Sequence, residues 1–219
     1  MSDITIAPHP PDPALSEVEG EQHFNLVQTV DPDFFTEWQV DLPQLTETEK
    51  AELDRIKARY RYHGAQGNLA EGLVNLVVLS PLLELAGFYD PPFQMQAEVP
   101  VEVNTSVAVS EGAEEVLRGR IDFLVISQGI WIAVLESKSS QLNLDTAIPQ
   151  TLAYMMANPD PGKPVFAMVT NGREFFFLKL SGQGMRQYDI SRSFSLLPLR
   201  NELYEVLRVL KNLEPKIKP

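Results

Sequence analysis

Apolar and polar positions along this chain follow two rhythms, one repeating every second residue and one every three to four. Gly, Pro, Asn and Asp mark most of the places where one gives way to the other. Thr46-Glu47-Thr48-Glu49 has the form of a capping box and predicts a helix over 46–59, charged along one side. After Gly64 and Gly67, residues 68–79 are apolar and long enough for a buried helix, whose pattern resumes past Pro81 and stops at Gly87. Residues 93–103 alternate, with Val99, Val101 and Val103 on one parity, and predict a strand that Pro100 assigns to an edge or a bulge. Residues 120–127 and 130–138 read as antiparallel partners around a tight Gln128-Gly129 turn. A helix follows over 143–158, with Asn143 or Asp145 as cap, Pro149 near its first turn and Asn158-Pro159 opening its stop. Residues 164–170 and 174–180 flank Asn171-Gly172, a hairpin signal. The last helix, over 199–213, carries Leu203, Val206, Leu207 and Leu210 on one stripe. From 93 onward the order is three strands, a helix, two strands and a helix, with no internal repeat. The expected fold class is α/β around a mixed sheet.

Composition sharpens this outline. With 44% hydrophobic residues in 219, the chain can bury one sizeable core, and two full domains would each be small. Residues 1–44, with Pro8, Pro10, Pro11, Pro13 and the acidic run Glu17-Val18-Glu19-Gly20-Glu21, are expected to form an extended arm, and residues 45–219 a single domain. Within the arm, residues 23–27 and the aromatics Phe34, Phe35 and Trp38 are apolar enough to pair with a sheet edge or lie across the core. The chain has no cysteine, so disulfides and thiolate metal sites are excluded. No run approaches the roughly 18 apolar residues of a membrane span, and Met1-Ser2-Asp3-Ile4 does not begin a signal peptide, so no membrane association and a cytoplasmic location are expected.

The net charge of −12 argues against nonspecific coating of nucleic acid. Its distribution softens that argument, because residues 1–60 hold thirteen acidic and four basic residues and the remainder seventeen and fourteen. Weak DNA affinity that depends on a bound cation and on flanking Lys or Arg is the expectation.

The candidate chemistry lies on the two strands around Gln128-Gly129. Asp122 near the start of one strand falls beside Glu136 near the end of the next, and Glu136 opens Glu136-Ser137-Lys138. Two convergent carboxylates with a nearby backbone carbonyl, that of Ser137, make an oxygen-rich site suited to Mg²⁺ or Mn²⁺, whereas zinc would favour Cys or His. Hydrolysis of a phosphodiester needs an activated water, a Lewis acid and relief of charge on a pentavalent anion. Lys138 has the charge and reach to orient the water and stabilise that anion. Gln150 and Tyr154, four apart on a helix, share a face from which they can position Lys138, water or a phosphate.

In this order, Asp122, Glu136-Ser137-Lys138 and Gln150-Thr151-Leu152-Ala153-Tyr154 resemble the PD-(D/E)XK nuclease superfamily, most closely the N-terminal nuclease domain of the type I restriction motor subunit. The resemblance covers residues 65–180 and implies a restriction endonuclease-like core, a mixed sheet flanked by helices. It implies Mg²⁺ ligation by Asp122 and Glu136, a Lys138 beside them, and a Gln150/Tyr154 helix motif. A Glu on the first core helix completes such sites, for which Glu71 is the first choice and Glu84 the second. The implied activity is Mg²⁺-dependent DNA endonuclease, alone or with motor, methyltransferase and specificity subunits, and a double-strand cut favours a homodimer. Two departures stand out: Ile121 replaces the proline before the Asp, and no helicase motif is present.

Plainer readings accompany each residue. A lone Glu-x-Lys at a strand end is ordinarily a solvated charge pair. A helical Tyr such as Tyr154 is ordinarily core with a tethered hydroxyl. Arg118, Arg120 and Arg173 are ordinary surface residues unless they meet phosphates. The rival functions are a catalytically inactive nuclease-fold interaction module and a nuclease acting on RNA.

Overall fold

Thr46 opens the first helix through a reciprocal cap. Its Oγ1 accepts from the Glu49 N–H at 3.2 Å, while the Glu49 carboxylate accepts from the Thr46 N–H at 2.7 Å. The computed structural model describes residues 26–109, 113–127, 130–137, 144–160, 162–182 and 186–213, with side chains other than those at 103–119, 127–137 and 145–146. Helix α1, Glu47–Gly64, runs past Arg59 because nothing before Gly64 breaks it. The next helical stretch is continuous but changes pitch: α2, Glu71–Val74, passes into a π-turn, Asn75–Leu79, and then α3, Ser80–Leu85. The π-turn closes with the Ser80 N–H donating to the Asn75 carbonyl, immediately before Pro81, which has no N–H to offer.

The strands are β1, Leu26–Gln28; β2, Phe93–Val109; β3, Ala113–Ser127; β4, Ile130–Ser137; β5, Val165–Thr170; β6, Glu174–Ser181; β7, Arg186–Ile190; and β8, Phe194–Ser195. Between β4 and β5 a 3₁₀ turn, Leu144–Ala147, leads into α4, Ile148–Met156, and the last helix is α5, Leu203–Leu213. The sheet order is β1-β7-β6-β5-β4-β3-β2, with β8 pairing with β6. The β1/β7 and β4/β5 pairs are parallel and the others antiparallel, so the sheet is mixed, as the α/β reading expects.

The outline differs from the sequence reading in several further places, and the helix expected over 143–158 is confined to Ile148–Met156 behind its 3₁₀ turn. Strands β2 and β3 extend beyond the stretches read from alternation. Strands β7 and β8 were not anticipated, since β7 is Arg-Gln-Tyr-Asp-Ile and offers little apolar pattern, whereas β1 overlaps the 23–27 stretch read as able to pair with a sheet edge. Helix α5 begins at Leu203 rather than 199, where Asn201 Oδ1 accepts from the Leu203 N–H at 3.2 Å. The Gln128-Gly129 turn and the Asn143 cap lie outside the described residues.

Two apolar layers cover the sheet. One packs Leu53 and Ile56 of α1, Val78, Leu82 and Leu207 against Phe166, Met168, Phe175 and Phe177. The other packs Leu152 and Met155 of α4 against Ala167, Val169, Leu178 and Leu180. Of the segment expected as an arm, residues 1–25 lie outside the described residues. From Leu26 onward the chain joins the domain, with Phe35 and Leu45 in the first layer. Lys179 Nζ donates to the Phe34 carbonyl at 2.6 Å and to Glu37 at 2.8 Å, while Asn212 Nδ2 donates to the Glu37 carbonyl at 2.8 Å. Among the described residues no helix is long and apolar enough to cross a membrane.

Candidate active site

Register brings positions 122 and 136 of the two strands together. Phe123 of β3 pairs with Leu135 of β4, and the next step along this antiparallel ladder sets position 122 against position 136. On its other side β4 runs parallel to β5, with Glu136 opposite Val169 and Ser137 opposite Thr170. The ends of β4 and β5 therefore lie side by side, where Glu136-Ser137 leaves the sheet. Asp122 is half-buried. Of the backbone at 136 and 137 these positions are described, whereas their side chains and the whole of Lys138 lie outside the described residues.

Asp122 occupies an irregular point of the β2/β3 hairpin. Ala97 pairs with Phe123 and Val99 with Ile121, so Glu98 faces Asp122, and Glu98 has a positive φ of 55°. That left-handed conformation is uncommon for a residue with a side chain. The two strands change sides together at this step. Phe93, Met95, Phe123 and Val125 pack in the first layer, whereas Val99, Val101 and Ile121 pack in the second. Register is preserved across the step while the inward parity is exchanged. Glu98 itself is largely exposed and pairs with the exposed Arg120 at 3.6 Å, a contact worth little in water.

Helix α4 is tied to β3 two residues before Asp122. The buried Tyr154 hydroxyl accepts from the Arg120 backbone N–H at 3.2 Å and from Gln150 Nε2 one turn earlier. Gln150, half-buried, and Tyr154 thus share a face, and that face meets the strand carrying Asp122. Tyr154 combines core packing with a tether. Tyr154→Phe is expected to leave the Arg120 N–H without its acceptor and cost about 1–2 kcal/mol, read as a lower urea midpoint with an unchanged slope.

Glu71 comes from the other layer. It opens α2, and Val74, three residues on, lies beneath the turn that follows β5: a Cβ added at Gly172 would meet Val74 Cγ1 at 2.8 Å. The turn is built by Thr170 and Asn171. Thr170 Oγ1 accepts from the Gly172 N–H at 2.9 Å, and Asn171 Oδ1 from the N–H groups of Arg173 and Glu174 at 3.0 and 2.9 Å. Since Thr170 is the register partner of Ser137, this contact holds the α2 end of the helical stretch near the exit of β4. Glu71 is exposed, whereas Glu84 sits in α3, beyond the π-turn.

The sequence did not single out two polar residues of this region. Glu98 has no signal beyond its parity in β2. Asn75, four residues after Glu71, has an amide Oδ1 shut off from solvent with no hydrogen-bond partner among the described residues, and so does Arg173 Nε on the turn. The helical spacing from Glu71 was the available clue. Among the described residues there is no group of three His, Cys, Asp or Glu able to hold a metal. Of the carboxylates assigned to a cation, Asp122 and Glu71 are among the described side chains.

A family model described as type I restriction enzyme R protein N terminus matches residues 38–184. The chain belongs to this family. The match spans α1, both layers of the sheet's centre and every residue assigned to the site. Type I R-protein N termini are thus the frame in which Asp122, Glu136, Gln150 and Tyr154 are to be read. Among solved structures, the chain is similar to a fragment of a putative HsdR subunit of a type I restriction enzyme from Vibrio vulnificus YJ016. The two share 19% identity with a TM-score of 0.38, over 66% of this chain and 26% of that one. The chain thus spans about a quarter of the length of that fragment. No curated protein matches it.

Proposed function

We propose that this chain is a Mg²⁺-dependent DNA endonuclease domain, the cleavage module of a type I restriction system. The observation that carries this reading is the ladder step that sets Asp122 against position 136, within a chain of the R-protein N-terminal family. The donor set suits a hard cation: carboxylates at 122, 136 and 71 and a backbone carbonyl at 137. Asp122 and Glu136 would hold Mg²⁺ or Mn²⁺ with the Ser137 carbonyl, and Glu71 would assist directly or through water. When bound, the cation supplies a Lewis acid for the nonbridging phosphate oxygen and eases loss of a proton from water.

The chain's own groups do the rest. Lys138 orients the attacking water, can exchange its proton, and offsets charge on the pentavalent anion. Tyr154 fixes α4 against β3, and Gln150 presents its amide from the same face toward Lys138, water or a phosphate. The net charge of −12 leaves the chain a weak DNA binder by itself, so motor, methyltransferase and specificity subunits in the cytoplasm supply most of the DNA affinity. Two copies are needed for a double-strand cut.

The test is a cleavage assay of the purified chain on supercoiled DNA, linear DNA and RNA with Mg²⁺, Mn²⁺ or chelator. Divalent-dependent nicking or cutting of DNA is expected. Cleavage confined to RNA would move the substrate class. Absence of both cleavage and calorimetric Mn²⁺ binding would leave an inactive interaction module.

A further inference from the structure

An open groove runs between the second half of α1 and the loop that follows β8. It has a volume of about 650 Å³ and is lined by Lys57, Arg61 and Arg200 against a single carboxylate, Asp54. In a chain of net charge −12 that is a local reversal of sign. The carboxylate is already engaged: Asp54 Oδ1 accepts from Asn201 Nδ2 at 3.0 Å and from the Tyr204 hydroxyl at 2.9 Å. Lys57 is buried, and its ammonium donates to the carbonyls of Pro198, Leu199 and Arg200 at 2.6, 3.3 and 2.9 Å. All three of its donors thus tie the loop to the helix.

The two arginines are not used up in this way. Arg61 is exposed and reaches the carbonyls of Leu197 and Pro198 only at 3.5 Å, the outer limit of a hydrogen bond. The Arg200 side chain is 74% exposed and shares Glu205 with Arg208, so its guanidinium has donors to spare. Both walls of the groove are fastened to the turn that follows β5. On one side, a Cβ added at Gly172 would meet a ring carbon of Tyr60, the neighbour of Arg61 in α1, at 3.3 Å. On the other, the Leu196 N–H donates to the Arg173 carbonyl at 2.8 Å. Thr170, where that turn begins, is the register partner of Ser137. The cationic groove therefore flanks the end of the sheet where β4 leaves it, and it is built without any side chain of β4.

We propose that this groove binds the sugar-phosphate backbone of duplex DNA, with Arg61 and Arg200 donating to phosphate oxygens beside the candidate site. The choice of DNA rests on the nuclease reading above, whereas the charge and shape of the groove do not. A duplex carries one negative charge per roughly 1.7 Å of its axis, so a duplex presented to the strand ends brings phosphates across their flank. Guanidinium suits the task, because its planar fork matches the oxygens of a phosphate and its charge does not titrate. Such contacts position the duplex and do not read its sequence. Leu197 and Leu199, exposed on the same loop, are what an acidic protein partner would use instead.

The experiment follows a fluorescently labelled DNA duplex binding to the full chain by anisotropy, in chelator and over a series of low salt concentrations. The proteins are wild type, Arg61→Ala, Arg200→Ala, Arg61→Lys and Lys50→Ala. Arg61→Ala and Arg200→Ala are each expected to weaken binding about three- to ten-fold whatever the duplex sequence, and to lower the slope of log affinity against log salt by about one. Arg61→Lys retains the charge and with it the slope. Lys50→Ala removes the same charge about 16 Å away along α1 and is expected to bind as wild type does. Both arginines lie at the surface, and Glu205 keeps Arg208 at 2.9 Å when Arg200 is cut back, so the variants are expected to fold. An equal loss in Lys50→Ala would reflect overall charge and overturns the proposal. Unchanged affinity and slope in both alanine variants, or no duplex binding by wild type, overturn it as well. So does wild-type chain that binds polyglutamate through Arg61 and Arg200 but no duplex, which assigns the groove to an acidic protein. Because no divalent cation is present, the nuclease reading is tested separately. Groove-dependent duplex binding by a chain that neither cleaves DNA nor binds Mn²⁺ removes that reading and upholds this proposal, and groove-independent binding by a chain that cleaves does the reverse.

Discussion

Asp122→Asn is expected to lower metal-dependent DNA cleavage by at least about 10³-fold, equivalent to roughly 4 kcal/mol of transition-state stabilisation. The substitution keeps the shape of the side chain and removes its charge. Asp122 is half-buried between Ile121 and Leu124, both of which are fully packed, so stability should change by less than about 1 kcal/mol. A large kinetic effect with a small thermodynamic one separates a metal ligand from a structural carboxylate. Lys138→Ala should give a comparable loss of rate while leaving Mn²⁺ binding largely intact, since the proposed role of the ammonium is on water and phosphate rather than on the cation. Rates come from plasmid nicking at saturating Mn²⁺, and affinities from calorimetry. Cleavage that persists in both variants would mean that hydrolysis occurs elsewhere on the chain or in a contaminant.

Gly172→Ala is expected to destabilise the domain by about 2–4 kcal/mol through two separable causes. Gly172 has φ of 77°, a left-handed conformation costing an L-residue about 1–2 kcal/mol. The added methyl would also stand 2.8 Å from Val74 Cγ1 and 3.3 Å from a ring carbon of Tyr60. Val74 is fully buried and stiff about χ1, so it cannot swing aside. The overlap should be relieved in part by Val74→Ala. The double variant is therefore expected to be more stable than the sum of the single losses allows, by about 1 kcal/mol. Urea titrations of the four proteins measure this coupling. Strict additivity would show that the turn and the helix move apart freely, and the link between Glu71 and the end of β5 would then be loose.

Local chemistry made much of this fold legible. Thr46 and Glu49 announced a helix start that is present atom for atom, and Asn171-Gly172 announced the β5/β6 hairpin. Two apolar runs and a two-residue turn put positions 122 and 136 near each other. Setting one against the other takes the register shift between Val125 and Ile126, since the Ser127–Ile130 pair alone would set 122 against 135. Elements that depend on a neighbour were not legible. Residues 23–27 read as able to pair with a sheet edge, and β1 does so, but the edge it meets, β7, is polar enough that alternation says little. The π-turn depends on how the freed backbone groups near Pro81 are shared out, which no hydrophobic period records. Asn75 and Glu98 were hidden for a related reason: one is marked by what its amide lacks, the other by a backbone angle. Tyr154 carried two readings in the sequence, core or site, and its buried ring with the hydroxyl on the Arg120 N–H shows the first, a packed tyrosine with a tethered hydroxyl.

The exchange of sides at Glu98 and Asp122 has a mechanical consequence. A uniform hairpin whose one face is buried can be misaligned by a single residue only by turning its whole buried row outward. In this hairpin the near portion is keyed into one layer by Phe93 and Val125 and the far portion into the other by Val101 and Ile121. A slip would eject both rows at once, in opposite directions. The acid at the crossover is thus indexed along the strand by two locks on either side of it, so its position is set by buried apolar side chains of its neighbours.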